Sequence, residues 1–364
     1  MTDPLASFID EVCGESHLRV EDDLGDGFVR LRVSEAERRQ AQHDIRSTED
    51  LIIEMLRNSR DAHARNIFLA LSREGKKRRI CILDDGDGIP ASLHERVFEP
   101  RVTSKLDSLH VDTWGVHGRG MALYSISCNS EKAFVLASAP RLGTVIVVET
   151  DLDRVPEKTD QSSMPRVSIG EEGKPEFLGP HNINRCVLEF AYTCPDTCQV
   201  FYGAPTEVAA TLLAYGTATL PQRMRLFASQ LDEVPYIKRL STAADPEHLA
   251  QAAAGLGLDI SERSARRILD GQIPPLQSVE ESYPLSGTRL AGKPSQQNHA
   301  KDLRLLKDVR GLRITPEDLK EFSEQIKVSF SDLAKRYYLE ESAQPEIRIG
   351  KEAIHIRIPL SKQR

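Results

Sequence analysis

Glu54 and Asn58 stand four residues apart in "EMLRNSRDA", and Asp61 follows three residues later. At helical pitch that spacing stacks the three side chains in one stripe. The stripe lies away from the apolar one made by Leu51, Met55 and Leu56. A carboxylate above an amide oxygen can activate a water and complete a magnesium shell whose other ligands are phosphates. Alone, such a stripe also describes a solvated helix face. A second group lies downstream, where Asp84 ends an alternating run and leads into "DGDGIP". A carboxylate at a strand end can accept a hydrogen bond from an exocyclic amine such as that of adenine, and Gly86 and Gly88 let backbone approach a flat ring. A calcium loop does not fit, because the turn lacks the spaced oxygens and distal Glu of an EF-hand. A third group is Gly115, Gly118 and Gly120 in "GVHGRGMAL". They are expected to open a helix whose free amides and positive dipole end suit phosphate.

These groups need a scaffold. "DLGDG" is a turn between two short strands, and Ser34 with Glu37 is a capping-box pattern opening "EAERRQAQHD". The helix carrying Glu54 follows "RSTED". The alternating runs 66–71 and 79–83 predict an antiparallel hairpin, with Asp84 at the end of its second strand. Strands "KAFVLASA" and "GTVIVVETDL" follow, then a loop-like excursion over 153–182. "NRCVLEFAY" reads as one further strand. The order predicts an α+β sandwich over residues 1–195, with helices over one face of a mixed, mostly antiparallel sheet. Residues 196–283 read as a helical region, and 284–364 as a C-terminal α+β region. The latter has a loop over 284–300, a helix "PEDLKEFSEQI" and a terminal strand pair, "EIRIG" and "AIHIRIPL".

Composition bounds the function class. The 364 residues are 40% apolar and 28% charged, as in an ordinary globular protein. Apolar runs are strand-length, so no membrane span is expected. The first residues have neither the basic start nor the apolar core of a secretory signal, which points to the cytoplasm. A net charge of −7 argues against a surface that coats polyanions wholesale, while leaving room for a local patch. His181, Cys186, Cys194 and Cys198 lack the two tight Cys pairs of a zinc site, and the cysteines read as small buried hydrophobes.

In order, "EMLRNSRDA", "DDGDGIP", "FEPRVTSK" and "GVHGRGMAL" resemble the four boxes of the GHKL ATPases. That superfamily holds gyrase, the heat-shock chaperone, histidine kinases, MutL and the topoisomerase VI B subunit. The resemblance spans about residues 45–150 and implies a Bergerat-type sandwich with ATP and Mg²⁺ as cofactors. It makes Glu54 the base that activates water and Asn58 the Mg²⁺ ligand, with Asp61 beside them. Asp84 would bond the adenine amine, with Gly86 and Gly88 shaping the base pocket. Thr103, Ser104 and Lys105 would belong to the ATP lid, and Gly115, Gly118, Arg119 and Gly120 to the phosphate loop. Asp85 departs from the pattern, since many members carry Asn there.

Three readings of the branch follow. The first is a MutL-like or topoisomerase VI B-like ATPase that forms a homodimer on ATP, with Lys293 or Lys301 sensing the γ-phosphate. The second is a histidine-kinase-like protein with His43 as phosphoacceptor. Only fourteen residues separate His43 from Asn58, too few for the second helix of a phosphoacceptor hairpin. The third is an ATP-switched adaptor without hydrolysis. Residues 246–271 resemble a helix-turn-helix with Arg263, Arg266 and Arg267 on its second helix, a surface that could meet DNA or a DNA-processing partner.

Overall fold

The computed structural model describes residues 20–104, 110–112, 115–117, 120–170, 175–193, 198–221 and 232–283, with short stretches between 306 and 358. Strands β1 (Val20–Gly25) and β2 (Phe28–Leu31) form the expected hairpin. Helix α1 (Glu35–Asp44) starts at the Ser34–Glu37 capping box. Helix α2 (Thr48–Asp61) starts at a second one, in which Ser47 and Asp50 bond each other's backbone N–H. Each box satisfies two otherwise orphaned donors and fixes where the helix begins. Then come β3 (Asn66–Glu74), β4 (Lys77–Asp84) and β5 (Val102–Thr103), which pairs with β2. After them lie β6 (His110–Asp112), β7 (Gly115–His117), α3 (Ala122–Asn129), β8 (Lys132–Ala139) and β9 (Gly143–Asp151). A small hairpin of β10 (Arg166–Ile169) and β11 (Pro175–Leu178) precedes α4 (Ile183–Thr193), β12 (Gln199–Gly203) and α5 (Pro205–Thr219). A 3₁₀ stretch over Tyr236–Thr242 leads to α6 (Pro246–Ala254), α7 (Glu262–Leu269) and α8 (Val279–Ser282). The terminal strand pair is present as β15 (Glu346–Ile349) and β16 (Ile354–Arg357), after the short pair β13 (Leu306–Lys307) and β14 (Arg313–Ile314).

The main sheet has the order β12-β3-β4-β9-β8. Every neighbouring pair is antiparallel except β12 with β3. Its side chains alternate between two cores, except at a bulge in β8 that turns Leu136 and Ala137 to the same side. Ile67, Leu69, Ile80, Ile82, Ile146 and Val148 join α2 and α4 in one. Phe68, Ala70, Cys81, Leu83, Val145 and Val147 join α5, the 3₁₀ stretch, α6 and α7 in the other. This is the α+β sandwich of helices over a mixed sheet that the sequence predicts, with helices on both faces rather than one.

Three expectations change. "NRCVLEFAY" is helix α4, not a strand. Ile183, Cys186, Val187, Phe190 and Ala191 recur at helical spacing and are buried, and Asn182 Oδ1 accepts from the Arg185 N–H at 3.0 Å to cap the first turn. The sheet also runs past residue 195, where the sequence reading drew its boundary, because β12 pairs in register with β3. Helix α5, the 3₁₀ stretch, α6 and α7 therefore pack on the second face of the main sheet instead of forming a separate helical body. Finally, the excursion over 153–182 contains the β10–β11 hairpin. The 284–300 loop, most of the helix expected at 316–326, and Lys293 and Lys301 lie outside the described residues.

Candidate active site

Asp84 closes the middle strand of the sheet, and its position in the alternation turns it toward α2. It is buried, with Ser59 Oγ donating to Oδ2 at 2.8 Å and the Gly86 N–H donating to Oδ1 at 2.9 Å. Burial pushes its carboxyl up to about 6, and the two hydrogen bonds offset only part of that. The neighbouring Asp85 does a different task. Its carboxylate accepts from the Arg65 N–H, the Asn66 N–H and Asn66 Nδ2 at 2.7 to 2.8 Å, tying the turn to the start of β3. An acceptor-only group suits three donors, which accounts for Asp at this position.

The glycines of this turn serve close approach of backbone. A Cβ on Gly86 would lie 2.5 Å from the Ala62 carbonyl oxygen at the end of α2, an oxygen that already accepts from the Asp87 N–H at 2.8 Å. Gly88 has φ +79°, and a Cβ there would lie 1.9 Å from the Ala139 carbonyl oxygen. Only Gly88 of the two lines the cavity; Gly86 acts by holding the Asp84 carboxylate.

That cavity, of about 150 Å³, brings together Glu54, Asn58, Asp61, Asp84, Gly88, Thr103, Ser104 and Gly120. Residues 66 positions apart in the chain thus share one wall. Phe28, Ile89, Val97 and Ile146 supply apolar sides, the setting a flat aromatic base requires.

The start of α3 closes one end of the cavity. Gly120 has φ +67°, and its carbonyl accepts from the Arg101 N–H at 2.9 Å. The N-cap, Met121, offers no side-chain acceptor to the first turn, and Ala122 and Leu123 line the cavity. Uncapped helix-start amides beside a cavity can hold an anion. The helix begins at Ala122, later than the sequence suggests: Gly115 sits in β7, paired with Asp112 of β6. Lys105, Gly118 and Arg119 lie outside the described residues. Arg101 of "FEPRVTSK" is buried and ion-paired with Glu37, so this segment is anchored to α1.

Arg57, Ser59, Phe28 and Thr144 are among the wall residues that sequence reasoning missed. Arg57 donates to Glu54 Oε1 at 2.6 Å, and Ser59 holds Asp84. Both lie within "EMLRNSRDA", and their spacing from Glu54 was the available signal. Phe28 and Thr144 reach the cavity through long-range pairing and left no local trace.

A larger cavity, of about 620 Å³, lies away from this chemistry, between the first turns of α2, β11 and α4. Its polar groups are committed to the fold. Glu49 accepts from the Lys158 N–H and Gln161 Nε2, Asp50 caps α2, and Arg185 pairs with Glu189. Cys186 lies in this wall, donating to the Glu49 carbonyl, and Cys194 lies outside the described residues.

The fold and the site together define a class. Residues 45–168 match the family model of the histidine kinase-, DNA gyrase B- and HSP90-like ATPases. This stretch of the chain is a GHKL-type ATPase domain. Among curated proteins, the chain is similar to the DNA mismatch repair protein MutL of Aquifex pyrophilus, at 38% identity over 109 residues. That match covers 29% of this chain and 25% of the relative. MutL of Thermus aquaticus is 41% identical over 81 residues, covering 22% of this chain and 15% of the relative. MutL of Aquifex aeolicus is 36% identical over 109 residues, covering 29% and 25%. The chain thus spans a quarter or less of the length of these relatives. Among the described residues no helix is long and apolar enough to cross a membrane.

Proposed function

We propose that the chain binds Mg²⁺–ATP in this cavity, hydrolyses it slowly, and uses the cycle to close its lid and dimerise, as a MutL-like ATPase. The observation that carries this reading is the convergence of Glu54, Asn58, Asp84 and Gly120 on one cavity from three separate stretches of sequence. Asp84 accepts from the adenine amine. The amides at the start of α3 hold phosphate oxygens, and Glu54 takes a proton from the attacking water.

Asn58 fits a cation-linked phosphate. Its Nδ2 is buried without a hydrogen-bond partner, so the fold has not committed that amide. Asn58 would hold Mg²⁺ through its oxygen, with Asp61 beside it. The ion supplies charge neutralisation on the phosphates.

Coupling to a partner or to DNA would run through α5, α6 and α7, which share the sheet's second core. Arg263, Arg266 and Arg267 are exposed on α7, although Glu262 pairs with Arg266 and Asp270 closes the helix. The histidine-kinase alternative loses support, because His43 sits in the last turn of α1, directly before α2. Light scattering with Mg²⁺ and a non-hydrolysable ATP analogue tests the dimer. A doubling of mass that chelation reverses is expected, and a monomer throughout rejects that part of the reading.

A further inference from the structure

Arg57 is a buried cation inside an acidic site. Its side chain is 4% exposed, against 23% for Glu54, and its Nη1 lies 2.6 Å from Glu54 Oε1 one helical turn away. Among the described residues lining the cavity it is the single cation, facing the carboxylates of Glu54, Asp61, Asp84 and Asp87. Asp61 is bonded to Arg60 Nε at 3.1 Å, and Asp87 to His63 Nδ1 at 2.7 Å. Asp84 is bonded to Ser59 and Gly86. At 2.6 Å the Arg57 charge bears directly on Glu54.

We propose that Arg57 is a positioning residue for Glu54. This rests on the reading of Glu54 as the water-activating base. A glutamate near a helix surface has three rotatable bonds, and a base that wanders by an ångström loses most of its effect. α2 fixes Arg57 by packing Leu51, Ile52, Met55 and Leu56 against the sheet. The guanidinium then pins Oε1 and with it the direction of the carboxylate.

The test is steady-state ATP hydrolysis by wild type, Arg57→Met, Arg57→Lys and Glu54→Gln, with affinity for a non-hydrolysable analogue measured on each. Arg57→Met keeps the bulk of the side chain and removes its charge. Its kcat is expected to fall by about 10- to 100-fold, the scale of a misplaced catalytic group. KM and analogue affinity should stay within about threefold, because the interaction is spent in the transition state. Arg57→Lys should recover part of kcat. Wild-type kcat in Arg57→Met overturns the proposal. So does a loss of kcat that tracks a loss of analogue affinity and is not recovered by Lys, which is the mark of a structural pair. Glu54→Gln separates the two levels. If that variant still turns over, the base assignment itself fails. If it is inactive while Arg57→Met is not, only the role of Arg57 fails.

Discussion

Glu54→Gln is expected to bind Mg²⁺–ATP as the wild type does and to lose turnover by about 10²- to 10⁴-fold, the range a positioned general base supplies. The choice of Gln matters. Its carbonyl oxygen still accepts from Arg57, whereas Ala would remove a partner from a buried guanidinium and mix a stability loss into the result. Phosphate release and analogue titration on one preparation check it. Retained turnover would show that another group activates the water.

Asp84→Asn is expected to lose ATP binding while making the nucleotide-free protein more stable. The carboxyl is pushed up to about 6 from 3.8 by burial. The folded state therefore binds the proton more tightly than the unfolded chain does. The stabilisation from protonated Asp84 is in place below about pH 4 and is lost as pH rises through about 6. At pH 7.5 holding this carboxylate ionised costs up to about 3 kcal/mol. Asn removes that cost but loses an acceptor for Ser59, so a net gain of about 1–2 kcal/mol is expected. Nucleotide binding has the opposite pH dependence. It needs the ionised acceptor and should weaken as pH falls through 6. Thermal melts and titrations from pH 5 to 8 read both trends, and parallel trends would contradict the assignment.

The chemistry of the site was legible because it is local. Glu54 and Asn58 share a helix, and Asp84 ends a run whose alternation is plain. The alternation also foretold the sheet, since Phe68 and Leu83 face one core while Ile67 and Ile82 face the other. Failures came where distant contacts decide. Cys186, Val187 and Phe190 sit among residues that favour strands, yet their spacing lets α4 bury them against α2. The five residues of β12 find their partner, β3, more than a hundred positions away, and nothing within "QVFYG" names it. Phe28 reaches the base cavity only through pairing of β2 with β5. Gly86 was legible as a functional glycine, but its task is to let the turn touch Ala62 rather than to face a ligand.

The most direct measurement is calorimetric titration of the wild-type chain with Mg²⁺ and the non-hydrolysable analogues of ATP and GTP at pH 7.5. The Asp84 carboxylate accepts from an amine and repels the carbonyl oxygen that guanine carries in its place. One equivalent of the adenine analogue should bind, with the guanine analogue weaker by about tenfold or more, the cost of at least one mismatched buried hydrogen bond. Equal affinity for the two, or no binding of either, would contradict a nucleotide pocket centred on Asp84.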